Sequence, residues 1–219
     1  MSKLSKVPVK SRFSPVILYR TTDGQNGTLA GSGSVFDSVN GEQIITCEHL
    51  LLKQYGNAMF AWKKLRPVDT IVTRSISSIL NRGNEILPEA QEVPDVVILK
   101  TGPVAFITCY SDQPESAFRA EQEVAPLLRT KMLTSLVSGE KVKMIGIAKN
   151  YGEKTVPYFI IDYSSIGGES GTGFVDDEDN LYVLKGTLKV IHDQSADVMK
   201  VLGNPKAVSF VYGPLHFNQ

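Results

Sequence analysis

SIGGESGTGF, the stretch Ser165–Phe174, places four glycines around one serine, Ser170. A strand-like segment, Tyr158–Tyr163, precedes it, and an acidic turn and a second apolar segment, Leu181–Leu184, follow it. Glycine is used where the backbone needs a positive φ or must approach another group closely. One interpretation of the stretch is a plain glycine turn between two strands. The other is a loop whose main-chain amides converge beside a serine hydroxyl, as at a site that binds an anion.

The second interpretation makes Ser170 a candidate nucleophile. Its own amide and that of Gly168 would stabilise an oxyanion, a contribution of roughly 3 to 4 kcal/mol of barrier per donor. A serine hydroxyl is a poor nucleophile without a base. This interpretation therefore requires a histidine and an orienting carboxylate elsewhere in the chain.

Two residues supply these groups. His49 follows the β-branched segment Ile44–Thr46, and Asp95 comes directly before four aliphatic residues, Val96–Leu99. Taken alone, His49 fits a packed core or turn histidine, and Asp95 fits a turn aspartate after a proline. Each signal is weak by itself, and the order histidine, aspartate, serine is what joins them.

Composition limits the classes of protein. The 219 residues are 42% hydrophobic, enough for one domain or two small ones in close contact. Lys and Arg number 23 and Asp and Glu also number 23, so no basic field attracts nucleic acid. No signal-peptide core or membrane-length apolar segment occurs, and we expect a protein of the cytoplasm or host-cell interior with no membrane span. Cys47 and Cys109 are expected to be reduced, buried thiols.

Short apolar and β-branched segments recur along the chain, separated by Gly, Asn and Asp turns such as the hairpin signal Val39–Gly41. This rhythm predicts an all-β barrel or sandwich. Residues 110–136 differ because acidic residues alternate irregularly with apolar ones and Pro126 interrupts any helix, so we expect a connection there. Ser195–Leu202 has a possible N-cap and helical spacing before a glycine, which predicts a short helix.

The motifs together resemble those of a known family, the chymotrypsin-like (trypsin-like) serine peptidases. The similarity is nearer to the bacterial Htr-type and viral branches than to secreted digestive enzymes, and it runs from about Val16 to about Val190. Intervals of 46 residues from histidine to aspartate and 75 from aspartate to serine also suit the family. The segments that carry the resemblance are Gly31–Phe36, Ile44–His49, Pro94–Lys100 and Gly168–Gly171.

The resemblance implies an all-β fold of two six-stranded antiparallel β-barrels with a short C-terminal helix. Its domain organisation would be a polar N-terminal arm over 1–14, a first barrel with the histidine and aspartate over 15–109, an inter-barrel connection over 110–136, and a second barrel with the nucleophile and C-terminal tail over 137–219.

The resemblance also implies a function, that of a serine endopeptidase acting on protein or peptide substrates without a cofactor or metal. Ser170 would attack the peptide carbonyl, His49 would relay the proton, and Asp95 would orient the imidazole. The amides of Gly168 and Ser170 would form the oxyanion hole. The specificity pocket would have its floor near Tyr163 and Ser164 and its wall along Lys185–Leu188, so the expected substrate-binding residues are Ser164, Lys185, Gly186 and Thr187.

This sequence departs from the family pattern at three places. The family reads glycine-glycine-proline after the nucleophile, whereas Gly171–Gly173 reads Gly-Thr-Gly. Glu169 stands where digestive enzymes have an aspartate that pairs with a newly cut N-terminus, and with no activation sequence near residue 15 we expect no zymogen step. Cys47 and Glu48 stand beside the histidine where small residues are usual.

Rival sites receive less support. An α/β-hydrolase elbow needs a helix after the serine and its acid and histidine downstream; His192 and His216 lie downstream, but a threonine at position 172 and an acidic turn follow Ser170 instead. No His-x-x-x-His or Cys-x-x-Cys spacing and no P-loop lysine occurs. The acidic segment Asp176–Asp179 is typical of a solvated turn rather than a calcium loop.

Two alternative functions remain open on the sequence alone. A peptidase-fold module that no longer cleaves would serve as a binding or structural protein, and the unusual residues Glu48 and Thr172 favour it. A viral or phage polyprotein-processing peptidase is the other, since the terminal Phe217–Gln219 would suit a glutamine-cleaving enzyme. Mass spectrometry of the ends released from a longer precursor would test the latter.

Overall fold

The described part of the chain folds into antiparallel β-sheets in the computed structural model, with almost no helix. In the described part of the chain, thirteen strands form two sheets, one from each half of the sequence. The structure describes residues 9–21, 27–39, 41–51, 57–64, 73–82, 95–102, 107–108, 124–151, 154–189, 200–203 and 207–215.

The first sheet has seven strands in the order β1-β2-β3-β6-β5-β4-β7, and β1 pairs with β4 as well. The hairpin predicted at Val39–Gly41 is confirmed, because β2 and β3 pair up to Ser38 and Gly41. The strands are β1 (Ser14–Thr21), β2 (Thr28–Ser38), β3 (Gly41–Thr46), β4 (Asn57–Lys64), β5 (Thr73–Arg82), β6 (Val97–Gly102) and β7 (Ile107–Thr108).

The second sheet is a closed six-stranded barrel in the order β10-β13-β12-β11-β8-β9. The all-β prediction is therefore confirmed, together with a barrel in the second half of the chain. Closure of the first sheet into a second barrel stays a prediction. The barrel strands are β8 (Val124–Ser135), β9 (Lys141–Tyr151), β10 (Lys154–Ile161), β11 (Gly173–Val175), β12 (Leu181–Lys189) and β13 (Ala207–Tyr212).

One segment differs from the sequence-based expectation. Residues 110–136, expected as a connection, contribute β8, a twelve-residue strand of the barrel. Pro126 does not exclude a strand, because proline is tolerated near strand starts and bulges, and the register of β8 against β9 shifts just after it, between Leu127 and Thr130. Leu133 and Ser135 are buried while Met132 is exposed, a period of two that marks a strand with one face inside.

Two clusters of buried side chains form the core, and β12 belongs to both. Leu181 and Val183 pack with the first sheet, whereas Tyr182 and Leu184 point into the barrel. Successive side chains of a strand face opposite sides, so a strand between the barrel interior and the other sheet must be apolar at every position. This explains the apolar run Leu181–Leu184 and places the first half of β12 at the junction of the two sheets.

The N-terminal segment is fastened to both sheets from Ser11 onward. The Ser11 hydroxyl and the Arg12 amide donate to the two carboxylate oxygens of Asp179, at 2.5 and 3.0 Å. Phe13 is buried and packs edge-to-face against Phe36, with the ring centroids 5.9 Å apart. The part of the expected arm that the structure describes is thus held in place, and residues 1–8 lie outside the described residues.

The predicted C-terminal helix falls mostly outside the described residues, which resume with a helical turn at Lys200–Leu202. Among the described residues, no helix has the length and apolar character that crossing a membrane would require.

Candidate active site

Strand pairing brings His49 and Asp95 together. His49 lies in a 3₁₀ turn, Glu48–Leu51, directly after β3, and Asp95 lies just before β6. Because β3 and β6 are antiparallel with Thr46 opposite Val97, the end of one strand meets the start of the other. The amide of Glu48 also donates to the carbonyl of Asp95 at 3.3 Å.

Asp95 holds His49 through both the ring and the backbone. Oδ2 of Asp95 lies 2.6 Å from Nδ1 of His49, and Oδ1 accepts the backbone N–H of His49 at 2.7 Å. The carboxylate side chain is fully buried, whereas 26% of the His49 side chain is exposed. An ionised carboxylate only accepts hydrogen bonds, so Nδ1 carries the proton. The other ring nitrogen, Nε2, is then left as a base.

Lys185 approaches the same carboxylate from β12. Its Nζ lies 4.0 Å from Oδ2 of Asp95 and 5.8 Å from the centre of the Tyr212 ring, with 23% of the side chain exposed. The register of β12 against β13 shifts between Leu184 and Gly186, and such irregularities redirect a side chain. The ammonium of Lys185 therefore faces Asp95, a contact that no pattern in the sequence indicates.

Ser170 reaches this region through β12. Its hydroxyl donates to the carbonyl of Lys185 at 3.1 Å, and the next amide, that of Gly171, donates to the carbonyl of Leu184 at 2.8 Å. The thiol of Cys47, two residues before His49, donates to the same Leu184 carbonyl at 3.1 Å. The serine loop and the histidine turn thus converge on one point of β12. Among the described residues, the Ser170 hydroxyl makes no hydrogen bond to His49.

The loop before Ser170 leaves two amides free to bind a ligand. Gly168 has φ of +90°, which side-chain-bearing residues rarely adopt, and a Cβ there would lie 2.6 Å from Cδ2 of Leu29. None of the described residues accepts a hydrogen bond from the amide of Gly168 or of Ser170. Two unpaired donors beside a serine hydroxyl are what an oxyanion requires.

Glu169 fastens this loop from within. Its carboxylate accepts the amide of Ile166 at 2.9 Å and the hydroxyl of Tyr163 at 3.1 Å. Burial, and then the charge of Glu169, raise the pKa of Tyr163, so the phenol stays protonated and donates. Sequence reasoning identified Glu169 as a departure from the family but not its partner, because Tyr163 was assigned to the floor of the pocket.

The other expected substrate-binding residues lie near the loop. Ser164 is exposed and directly follows Tyr163, and Gly186 is half-buried after the register shift of β12. Thr187 lies opposite Ser209 in the barrel, and its side chain is outside the described part of the chain. Whether these residues contact a substrate stays a prediction.

Cys47, His49 and Asp95 have potential metal-ligand atoms within 4.8 Å of one another. Their contacts favour a hydrogen-bonded cluster instead. The 2.6 Å separation of the imidazole nitrogen and the carboxylate oxygen is a hydrogen-bond distance. Burial, and then the charge of Asp95, raise the pKa of the Cys47 thiol well above its ordinary value, which disfavours the thiolate that binds metal.

The acidic turn Asp176–Asp179 binds its own neighbours. Asp176 is buried and accepts hydrogen bonds from Asn180 at 2.9 and 3.1 Å, from the amide of Glu178 at 3.1 Å, and from Nζ of Lys131 at 3.0 Å. Asp179 accepts hydrogen bonds from Ser11 and Arg12 of the N-terminal segment. These contacts give both carboxylates structural partners within the protein.

Neither a scan against protein families nor a search of curated proteins found a match for this chain. A search of solved structures found 110 matching chains. One of them, the crystal structure of Deg5, is 17% identical, with 81% of this chain and 80% of that chain covered and a TM-score of 0.39. This similarity is too low to indicate a function, so the function is inferred from the geometry of the site.

Proposed function

We propose that this protein is a serine endopeptidase that hydrolyses protein or peptide substrates, and that its fold is the two-barrel, chymotrypsin-like one. The observation that carries the proposal is that a fully buried carboxylate, Asp95, forms hydrogen bonds with both the ring and the backbone of His49. A satisfied core histidine needs only one partner. Fixing the ring and its main chain together sets the direction in which Nε2 points, which is what a general base needs.

In the proposed reaction, Ser170 Oγ forms a bond to the carbonyl carbon of the substrate while Nε2 of His49 takes the hydroxyl proton. The tetrahedral intermediate collapses as the carbon–nitrogen bond breaks and His49 gives the proton to the leaving amine. Water then repeats the sequence on the acyl-enzyme and releases the acid. Asp95 stabilises the imidazolium that forms at each step.

The free amides of Gly168 and Ser170 support the same proposal. Negative charge on the carbonyl oxygen develops only in the transition state, and two fixed N–H donors bind it better than they bind the neutral substrate. The positive φ of Gly168 and its close approach to Leu29 are a backbone conformation that a residue with a side chain would not adopt without strain. Each donor is expected to contribute on the order of 100-fold to 1000-fold in turnover.

A second candidate is a module of the same fold that binds peptides without cleaving them. The specific observation in its favour is the direction of the Ser170 hydroxyl, which donates to the carbonyl of Lys185 rather than to His49. Cleavage requires rotation of this hydroxyl toward Nε2 when a substrate is bound. A module that never makes this rotation would keep the binding surface and lack the activity.

Labelling of the purified protein with a fluorophosphonate probe separates the two candidates without knowledge of the substrate. Attack by an activated serine expels fluoride and leaves a phosphonylated Ser170. We expect labelling of the wild type and none in Ser170→Ala or His49→Ala. Ser14→Ala, at an exposed position at the start of β1, is the matched serine control and should label as the wild type does.

A folded wild type that fails to label would contradict the peptidase proposal and favour the binding module. Labelling that persists in Ser170→Ala would show that the activated serine lies elsewhere.

A further inference from the structure

Ser32, in β2 of the first sheet, contacts the serine loop of the barrel with both its side chain and its backbone. Its hydroxyl donates to the carbonyl of Gly168 at 2.9 Å, and its amide donates to the carbonyl of Ser170 at 2.8 Å. These carbonyls belong to the two residues whose amides would bind the oxyanion. One residue of the first sheet thus holds the carbonyl groups of both Gly168 and Ser170.

Ser32 is itself firmly placed. Its side chain and backbone are almost fully buried, and its carbonyl accepts the hydroxyl of Thr46, at the end of β3, at 2.6 Å. All three polar groups of Ser32 are therefore hydrogen-bonded. Its carbonyl binds Thr46, and its hydroxyl and amide bind the serine loop. The flanking Gly31 permits this contact, because a Cβ there would lie 2.9 Å from the carbonyl of Ser170.

The serine loop needs contacts from outside itself to fix its backbone. Gly167 and Gly168 are adjacent and have no side chains to restrict φ and ψ. A peptide group is planar, so holding the carbonyls of Gly168 and Ser170 fixes the peptide units that join Gly168 to Glu169 and Ser170 to Gly171. The amides of Gly168 and Ser170 are each separated from a held unit by the φ and ψ angles of one residue. Glu169 anchors the loop within the barrel, and Ser32 anchors it to the sheet that carries His49.

We propose that Ser32 is a positioning residue that holds the amides of Gly168 and Ser170 in the orientation that binds an oxyanion. The inference rests on the proposed peptidase function and adds to it a residue that connects the two sheets at the site. Ser32 does not touch the reacting atoms, and its effect passes through the two carbonyls that it holds.

The chain offers a matched control. Ser34 lies two residues along β2, is fully buried, and its hydroxyl has no hydrogen-bond partner among the described residues. Ser34→Ala and Ser32→Ala delete the same atom from the same strand at the same depth. Only the second deletion removes a bond to the serine loop.

Two measurements on the full chain test the proposal. Hydrogen exchange of the amides of Glu169, Gly171 and Thr172, which are bonded within or beside the loop, reports loop opening whether or not the protein is an enzyme. The rate of fluorophosphonate labelling, resolved into probe binding and the bond-forming step, reports the catalytic geometry.

We expect Ser32→Ala to speed exchange of these amides at least about threefold and to slow the bond-forming step about fivefold to tenfold, with probe binding unchanged, as for the loss of one neutral hydrogen bond. Ser34→Ala should change neither. The bond from the Ser32 amide remains in both variants, so folding is preserved, and thermal denaturation checks this.

Unchanged exchange in Ser32→Ala would overturn the proposed hold on the loop. Faster exchange with an unchanged bond-forming step would overturn its role in orienting the amides. If the wild type itself does not label, the peptidase proposal fails, and exchange alone still decides whether Ser32 holds the loop.

Discussion

Replacement of Asp95 with asparagine tests the histidine–aspartate pair with almost no change in side-chain shape. Oδ1 of Asp95 accepts the backbone N–H of His49 at 2.7 Å, so the amide oxygen of asparagine must take that position. Its NH₂ group then faces Nδ1 of His49, at the place of the 2.6 Å contact. Because that group donates, Nδ1 must accept, and the proton moves to Nε2. The histidine is thereby held in the tautomer that cannot take a proton from Ser170.

The expected loss is large. A wrong tautomer in an otherwise intact triad lowers turnover by about 10⁴-fold, or roughly 5.4 kcal/mol of barrier. The variant also loses the charge that faces the ammonium of Lys185, 4.0 Å away, and we expect its unfolding free energy to fall by about 1 to 3 kcal/mol. The two effects are measured separately and need separate controls.

Asp176→Asn is the matched control for the charge. Asp176 is also a buried carboxylate with a lysine partner, Lys131, at 3.0 Å, but it lies in the acidic turn after β11. It should lose a similar amount of unfolding free energy and keep its rate of fluorophosphonate labelling. The rates are compared per folded molecule, with the folded fraction taken from thermal denaturation.

The reasoning would be refuted if folded Asp95→Asn labelled within about tenfold of the wild type. It would also be refuted if Asp176→Asn lost as much labelling, since any buried charge would then matter as much as the one that orients His49.

Three further predictions concern other parts of the chain. Gly168→Ala should slow labelling about 100-fold or more, because φ at this position is +90° and the new Cβ would meet a leucine. Gly167→Ala is the control: its Cβ would meet nothing within 4 Å, so it should label within about threefold of the wild type. Burial raises the pKa of Asp176, but hydrogen bonds from neighbouring residues outweigh this effect and lower the pKa below its ordinary value of 3.8. The stability that the ionised carboxylate contributes is therefore present above that pH and is lost as the pH falls through the folded pKa. Between about pH 7 and about pH 3, the unfolding free energy should fall less in Asp176→Asn than in the wild type. In a variant whose sole cysteine is Cys47, the raised thiol pKa and full burial predict alkylation only on unfolding, and modification of the native protein at the rate of a free thiol would contradict this.

The strands and the neighbours of His49 were predictable because local signals determine them. Strand ends place His49 and Asp95, and antiparallel pairing of the adjacent core strands β3 and β6 makes the ends meet. The β2–β3 hairpin was signalled in the same way by an Asn-Gly pair in the sequence. In each case the deciding residues lie close together in the sequence or in adjacent strands.

The contacts that complete the site depend on how the two sheets pack against each other, and the sequence carries weaker signals for them than for the strands. The pocket expected at Lys185 stays a prediction, whereas its contact with Asp95, next to a register shift in β12, had no signal in the sequence. Ser32 lies 136 residues from its partner Gly168. The glycines beside Ser32 signalled a close approach, but not which segment approaches.

Strand β12 is where these long-range contacts meet, and its position explains how residues from two sheets can work together. Its apolar residues pack alternately into the barrel and against the first sheet, so its backbone is fixed from both sides. The carbonyls of Leu184 and Lys185 then receive the serine loop, while the Leu184 carbonyl also receives the Cys47 thiol of the histidine turn. Because each of these acceptors lies on a buried strand, Ser170 and His49 are positioned by the same rigid element. Packing at the junction of the sheets therefore sets where Ser170 and His49 lie relative to each other, which is the arrangement that the proposed reaction requires of its nucleophile and base.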